Sequence, residues 1–296
     1  MTIHLMKADL VLPVRADLGE GPVWDAARQR LLFVDITAGK IYEHDFDARR
    51  LAAIEAGALI GCVVPQADGQ LVAGMADGIW RIERSTGARV PLVKPPEHDA
   101  NRCRFNDGKC DPQGRLWAGT MGLNLERGLG ALYCFPSATE YRCVLPSVSI
   151  SNGLAWSLDG ATLYYIDSPT RRVDAFDFDA ATGGISHRRP AIVLPDGNDA
   201  PDGCTLDAEG MLWVAHWGGA RVTRWNPRTG EHLASVGLPA PHVTSCCFGG
   251  AALDTLYITT ARRGLTPPQL EAYPDSGGVF ACRPGARGRP ANVFRG

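Results

Sequence analysis

The sequence predicts an all-β fold, a six-bladed β-propeller in which four-stranded antiparallel blades surround a central channel. Three observations support this prediction. A block of about 45 residues recurs six times along the chain. Each block is a series of short β-branched and aromatic runs, and Gly- and Asp-containing turn signals separate these runs. The close spacing of the turn signals argues against long helices.

The six blocks follow one another at spacings of 40, 46, 46, 50 and 42 residues. In chain order they begin near Glu20, Ile60, Asn106, Asn152, Asp202 and Thr244. Within a block, an apolar run such as GCVVP precedes a turn such as PQADGQ. A strand-like run such as LLFVD or LWVAH comes next, and a third run such as GIWRIER follows it. This order and this period are typical of a four-stranded blade.

The six blocks account for nearly all of the 296 residues, so we predict one domain over residues 1–296. We expect the leading segment, from about residue 2 to residue 14, to pair with the last blade and close the ring. This pairing would cover open strand edges of the terminal blade. The third block carries a longer connection, GLNLERGLG at residues 122–130, which we interpret as a mobile flap over the channel.

Composition and charge indicate a globular protein without a nucleic-acid or membrane partner. The net charge is −2, and basic residues are scattered rather than clustered. The N-terminus lacks the apolar core and cleavage site of a signal peptide, and no apolar run reaches transmembrane length, so we expect a cytoplasmic protein. The nine cysteines include no CxxC pair and are expected to be reduced and buried. No feature indicates a dimer interface, and we expect a monomer.

A polar residue recurs at one position of the repeat. Glu20, Asn106, Asn152 and Asp202 each stand four residues before the end of the block's first apolar run. In a propeller this position lies at one mouth of the channel, just before the strand that lines it. Buried carboxylates there need a compensating charge. Two carboxylates and two carboxamides would form an oxygen-rich site for a hard divalent cation.

The alternative interpretation is that these residues only cap turns, because NDG, SNG and PDG are common turn sequences. Recurrence at one repeat position, together with a glutamate before Gly-Pro, favours the cation site over this alternative. The sequence contains no GxSxG, HExxH, Walker A or strand-following GxGxxG motif. Asp35 and Asp167 follow second strands and are predicted to be structural. His216 is predicted to be a packing or surface residue.

The chain resembles the senescence marker protein-30/gluconolactonase family. The matching stretches are GEGPVWD, LLFVDI, RFNDGKCDPQGRLWAGTM, GALYCF, ISNGLAWSLDGATLYYIDS, VDAFDFDAATGGIS, PDGCTLDAEGMLWVAHWGG, TSCCFGG and GGVFA. They span all six blocks, from residue 19 to about residue 281. The resemblance implies hydrolysis of sugar lactones with one bound divalent cation. Across the family this cation is calcium, zinc, manganese or iron.

The resemblance also implies roles for individual residues. The metal ligands would be Glu20, Asn152 and Asp202. Arg104 and Asn106 would hold substrate hydroxyl groups. Relatives often carry a substrate-contacting acidic residue after the GTM segment, whereas this chain continues GLNLE, so that Asn124 falls near the expected place and Glu126 follows it. Substrate choice is therefore less constrained by the resemblance than metal binding is.

This set of residues suits lactone hydrolysis. The bound cation would act as a Lewis acid on the lactone carbonyl, and Asp202 would activate water as general base. Arg104 offers forked donors to substrate oxygens, and Asn106 offers both a donor and an acceptor. The alternative for Arg104 is a surface ion pair. Two other functions stay open: a non-catalytic calcium-binding or partner-binding propeller, and a phosphotriesterase-like hydrolase on the same scaffold.

Overall fold

The computed structural model describes residues 3–296, and this part of the chain is all-β with one short helix and one 3₁₀ turn. Two short strands come first: β1 (His4–Lys7) and β2 (Asp9–Leu12). Four separate four-stranded antiparallel sheets follow. The first sheet contains β3 (Gly19–Asp25), β4 (Arg30–Asp35), β5 (Lys40–Asp45) and β6 (Arg50–Glu55). The second contains β7 (Ile60–Pro65), β8 (Leu71–Met75), β9 (Gly78–Ile82) and β10 (Arg89–Val93).

The third and fourth sheets repeat the pattern. The third contains β11 (Cys103–Cys110), β12 (Leu116–Gly122), β13 (Gly130–Phe135) and β14 (Arg142–Val148). The fourth contains β15 (Ser151–Trp156), β16 (Thr162–Asp167), β17 (Arg172–Asp179) and β18 (Gly184–Val193), with a 3₁₀ turn at Ser168–Thr170. The remaining strands are β19 (Ala200–Leu206), β20 (Leu212–Trp217), β21 (Arg221–Asn226), β22 (Glu231–Gly237), β23 (His242–Gly249), β24 (Thr255–Ala261) and β25 (Val279–Cys282). Helix α1 (Pro267–Ala272) lies between β24 and β25.

These remaining strands form a nine-stranded sheet with β1 and β2. The sheet consists of β1 and two four-strand groups, β19–β22 and β23–β24–β25–β2, which are joined where Trp217 pairs with His242. Pairing of β2 with β25 confirms that the leading segment covers the last group, although residue 2 lies outside the described part. Strand β1 instead runs parallel to β22, which the sequence did not predict.

The first strands of the four-strand groups form a closed ring, because each contacts the next and β23 contacts β3. Equivalent residues of neighbouring strands lie side by side. A side-chain carbon added at Gly153 would lie 2.7 Å from the Cys204 sulfur, and one at Gly203 would lie 2.0 Å from the Ser245 hydroxyl. The strands therefore run in the same direction around a propeller-like channel. We call the end where they begin the front mouth and the other end the rear mouth.

Each inner strand carries a register irregularity near its beginning, which is the signature of a β-bulge. The irregularities fall at Glu20/Val23, Ile60/Cys62, Phe105/Gly108, Ser151/Leu154, Pro201/Cys204 and Val243/Ser245. A bulge leaves residues outside the regular pairing and redirects their side chains. Consequently, the beginning of every inner strand is free to present side chains to the front mouth.

The apolar core lies between adjacent sheets. Between the third and fourth sheets, for example, Trp117, Trp156 and Phe178 pack together in one buried cluster. All nine cysteines are free thiols; seven of them are buried, as expected, whereas Cys143 is exposed and Cys282 is partly exposed. Among the described residues, no helix is long and apolar enough to cross a membrane.

Residues 283–296 form a segment that we call the C-terminal strap, which crosses the rear mouth. The backbone oxygen of Arg287 accepts a hydrogen bond from the Ala208 N–H at 2.7 Å. Farther along, Asn292 donates to the Cys110 carbonyl at 3.2 Å, and the Phe294 N–H donates to the Pro65 carbonyl at 2.9 Å. Phe294 is completely buried. The strap thus links the nine-stranded sheet to the second and third sheets.

Candidate active site

The front mouth brings together the four polar residues that the repeat singled out. Glu20, Asn106, Asn152 and Asp202 are all buried, at 4–6% exposure. The Asn106 amide donates to the Asn152 side-chain oxygen at 2.9 Å and to the Ser151 carbonyl at 2.8 Å. These bonds connect neighbouring inner strands at their bulges and fix the orientation of both carboxamides.

A second set of hydrogen bonds links Asn152 to the strand that carries Asp202. The Asn152 amide donates to the Ser168 hydroxyl at 2.8 Å, and that hydroxyl donates to the Pro201 carbonyl at 2.6 Å. Because the amide nitrogen of Asn152 is used in this way, its side-chain oxygen is the atom that remains toward the cluster. An amide oxygen in this position is a suitable ligand for a hard cation.

The carboxyl groups of the cluster are electrostatically strained. Burial, together with the nearby Asp107, raises the pKa of Glu20 to about 8, although the Gly21 N–H donates to its carboxylate at 2.8 Å. Burial and the carboxyl groups of Glu20 and Asp107 raise the pKa of Asp202 well above its ordinary value. Burial also raises the pKa of Asp107. Burial and neighbouring carboxyl groups thus disfavour the charged forms of Glu20 and Asp202.

Two of their oxygens have no hydrogen-bond donor among residues 3–296, namely Oδ1 of Asp202 and Oδ2 of Asp107. A buried oxygen without a partner is costly, and a bound divalent cation would remove that cost for a carboxylate. The residues present therefore fit a cation. No three His, Cys, Asp or Glu side chains in the described part are arranged to hold a metal ion. The predicted ligand set differs from such a group, because it includes the amide of Asn152.

Arg104 joins the cluster from the same strand as Asn106. Its guanidinium donates to the Asn106 side-chain oxygen at 2.6 Å and to the Phe105 carbonyl at 3.0 Å. Burial lowers the pKa of Arg104 to about 10, so the group stays positively charged at neutral pH. Arg104 makes no ion pair within the described chain, and the surface-ion-pair alternative is therefore wrong.

Asn124 lies in the exposed loop between β12 and β13. Its backbone N–H donates to the Glu126 carboxylate at 3.1 Å, and its amide does so at 3.3 Å. The loop thus pairs the two candidates for the family's acidic substrate contact with each other. A substrate-binding role for Asn124 stays a prediction, as does mobility of the loop.

Asp107 is a cluster member that the sequence analysis missed. In the third block Asn106 is followed by Asp107, whereas Glu20, Asn152 and Asp202 are each followed directly by glycine. The aspartate at this position was the signal in the sequence that could have identified Asp107 as a site residue. Lys109, on the same strand, lowers the pKa of Asp107 against the effect of burial and donates to the Cys204 carbonyl at 2.7 Å.

Asp35 and Asp167, which were predicted to be structural, have structural roles in the fold. Asp35 accepts two backbone N–H groups at 2.9 and 3.1 Å, and Asp167 accepts two at 3.2 and 2.9 Å. Each carboxylate thereby fixes the entrance to an inner strand. His216 is fully buried, and both of its ring nitrogens are hydrogen bonded, at 2.8 and 2.6 Å.

A cavity of about 530 Å³ lies behind the cluster toward the rear mouth. Asp107 and Lys109 line it, together with residues of the C-terminal strap, but the predicted metal ligands do not. Volume alone would place a ligand there. The convergence of buried, partly unsatisfied polar groups places the candidate chemistry at the front mouth instead.

Comparison with known proteins agrees with this architecture. Residues 18–262 match the family described as the SMP-30/Gluconolactonase/LRE-like region. Regucalcin of Homo sapiens is 41% identical over 280 residues, which cover 93% of each chain. A solved luciferin-regenerating enzyme is 31% identical with a TM-score of 0.90, over 97% of this chain and 99% of that one. Regucalcin of Agrobacterium tumefaciens str. C58, described as a calcium-binding protein, is 27% identical with a TM-score of 0.93, over 100% and 99% of the two chains.

These matches extend over nearly the whole chain and include every inner strand. They confirm the resemblance that the repeated stretches indicated. The chain belongs to the SMP-30/gluconolactonase/LRE-like family.

Proposed function

We propose that this protein is a metal-dependent lactonase that hydrolyses sugar lactones, the aldonolactones, to aldonic acids. The observation that carries the proposal is the buried cluster at the front mouth. There, carboxyl oxygens without donors stand beside the oriented carboxamides and a charged guanidinium. Membership of a family whose description includes gluconolactonase supports the same reaction class.

The proposal includes the finer architecture. We interpret the two groups of the nine-stranded sheet as the fifth and sixth blades of a six-bladed propeller, with residues 1–296 as one domain. The closed ring of inner strands supports this interpretation. We further propose a monomeric cytoplasmic enzyme without nucleic-acid or membrane partners, as the charge and composition indicated.

The cation would be held by Glu20, Asn152 and Asp202. Mixed carboxylate and amide oxygens suit calcium, manganese, iron and zinc to different degrees, so the cation is defined by class only. When bound, it would polarise the lactone carbonyl and offset the negative charge of the buried carboxylates.

The chain's own residues would then bind the substrate and move a proton. Arg104 has donors beyond those used by Asn106 and Phe105, and these can hold substrate oxygens. Asp202 would accept a proton from the attacking water at Oδ1. No residue of the described chain donates a hydrogen bond to this oxygen. The water oxygen bonds to the carbonyl carbon, the ring C–O bond breaks, and the proton passes to the departing ring oxygen. Asn124 would make a further substrate contact.

Acid release from a panel of 1,4- and 1,5-aldonolactones tests the proposal. Chelator-treated protein is assayed with and without Ca²⁺, Mn²⁺, Zn²⁺ or Fe²⁺, and spontaneous ring opening is subtracted. Turnover that returns with one cation supports the lactonase. A phosphotriester is included in the same panel to test the alternative of a phosphotriesterase-like hydrolase. Metal binding without turnover of any substrate would contradict the proposal and support a calcium-binding propeller, the class that the Agrobacterium relative's description names.

A further inference from the structure

Two aromatic rings stack at the front mouth, at the junction of the two groups of the nine-stranded sheet. The centroids of Trp217 and His242 lie 4.1 Å apart, with 12° between the ring planes. Trp217 is the last residue of β20, and His242 is the first residue of β23. Both therefore stand at the end of the channel where the inner strands begin. The His242 ring is itself fixed, because Nδ1 is 2.9 Å from the Arg263 carbonyl.

The stack lies next to the candidate active site. Trp217 pairs with Ala200, which precedes Asp202 by two residues on the inner strand. The Trp217 side chain also packs against the apolar cluster that includes Leu18, which precedes Glu20 by two residues. Trp217 thus lies beside the beginning of the inner strand that carries Asp202.

Trp217 differs from the other tryptophans of the chain. Five of the seven are buried core residues. Trp80 is partly exposed, but its N–H donates to Asp77 at 2.8 Å and its ring lies under Lys94. Trp217 is also partly exposed, yet its N–H finds no acceptor within residues 3–296 and is not buried. It combines a supported aromatic ring with a free hydrogen-bond donor.

We propose that Trp217, supported by His242, is a platform for the ring of a cyclic polyol substrate. This inference rests on the proposed lactonase function and deepens it. The C–H face of a sugar ring is apolar and gains by burial against an indole, while the ring's hydroxyl groups can accept from the free N–H. The substrate class is then a cyclic lactone with a hydroxylated ring. Acyclic esters, which lack a preformed ring face, are disfavoured.

Steady-state kinetics on the metal-loaded enzyme tests the platform. We expect Trp217→Leu to raise KM for the best aldonolactone roughly tenfold, with kcat within about twofold, because binding to the ring face is lost. In Trp217→Phe, KM should be close to that of the parent enzyme, since an aromatic ring remains. Trp80→Leu, the matched loss of a partly exposed indole, should change neither constant. An unchanged KM in Trp217→Leu, with a folded protein, would overturn the inference.

A binding measurement separates this inference from the lactonase proposal. The probe is 1,5-anhydro-D-glucitol, a six-membered polyol ring without a carbonyl that cannot be hydrolysed. We expect it to change the tryptophan fluorescence of the metal-loaded parent and of Trp80→Leu, but not of Trp217→Phe. The same change in Trp217→Phe, or no change in the parent, would refute the platform whatever the turnover. Absence of turnover alongside a Trp217-dependent change would refute only the lactonase.

Discussion

Asp202 and Asp207 stand at opposite ends of the same inner strand, and both are buried, yet their surroundings differ completely. At the rear, Asp207 accepts the Glu209 and Met211 N–H groups at 2.9 Å each, and also bonds to the Trp213 indole at 2.9 Å and to Arg224. At the front, Asp202 has an oxygen that no donor in the described part of the chain reaches. The rear carboxylate is fully satisfied by the protein, and the front one is not.

The third sheet repeats this contrast. Asp111, at the rear end of its inner strand, bonds to the N–H groups of Gln113 and Arg115 and to the Trp117 indole. Asp107, at the front, is buried with an unpaired oxygen. Asp207 and Asp111 therefore fix turns, whereas Asp202 and Asp107 each keep an oxygen without a donor in the described part of the chain. This contrast supports the proposal that these two front carboxylates serve a ligand rather than stability.

The largest effect is expected from Asp202→Ala. It removes both a proposed cation ligand and the proposed base, so lactone hydrolysis should fall by roughly ten-thousandfold. The melting temperature of the chelator-treated protein should stay equal or rise, because a carboxyl group that repels Glu20 is gone. Acid-release assays and thermal melts measure the two effects. Full hydrolysis by this variant would remove Asp202 from the mechanism.

Asp207→Ala is the opposite case. Truncating a fully buried carboxylate leaves Arg224 and an indole N–H without their acceptor, so the free energy of unfolding should fall by about 4 kcal/mol. Turnover per folded molecule should be unchanged, because the residue faces the rear mouth. Urea titrations provide the measurement. Asp159→Ala, in an exposed rear turn, is the control and should lie within about 1 kcal/mol of the parent. Loss of turnover in a folded Asp207→Ala protein would break the comparison.

His216 tests whether a buried polar group near the front can be satisfied by the protein alone. Burial, and then Arg221, lower its pKa to about 4, against about 6.5 in an unfolded chain. Between these values only the unfolded state takes up the proton, so stability is complete above about pH 6.5 and declines as pH falls toward 4. The expected loss is about 3 kcal/mol. Urea unfolding at several pH values should show this slope in the parent and in His187→Asn, an exposed control, but not in His216→Asn. If His216→Asn keeps this pH dependence of stability, a group other than His216 causes it.

The smallest effect should come from Asn106→Ala. Loss of the side-chain oxygen that holds Arg104 and can accept from a substrate hydroxyl should raise KM for aldonolactones by roughly tenfold. Metal affinity should change little, since Asn106 orients Asn152 without being a proposed ligand. Isothermal titration with the activating cation separates the two readouts. Complete loss of metal binding would instead place Asn106 among the ligands.

Much of the fold was predictable because a repeat is a local pattern. The spacing of Glu20, Asn106, Asn152 and Asp202 could be measured directly against the repeated runs, and the inner strands begin beside those residues. Asp107 was missed because it occupies a place where other blocks carry glycine, so that aligning the blocks directed attention away from it. The bulges that expose these side chains leave no mark in the residue pattern.

Features that depend on contacts between distant blocks could not be predicted. The stack of Trp217 on His242 joins two blocks, and neither residue recurs at its position in the repeat. The strap, ending near Phe294, has no repeat pattern at all and is defined by backbone hydrogen bonds to turns. Asn124 lies in an exposed loop, where it donates hydrogen bonds to Glu126. The geometry of this loop does not follow from the alternating pattern of a strand.

The pairing of β2 with β25 has a consequence for the order of events in folding. Its two partners are separated by nearly the full chain, as are Thr244 and Gly19, whose hydroxyl-to-carbonyl bond at 2.6 Å spans 225 residues. Contacts of such long separation form slowly, because a long loop must be closed before they contribute. On the ribosome, the earliest strands therefore emerge unpaired and wait for the latest. During synthesis this protein should depend on chaperones that cover those open strand edges.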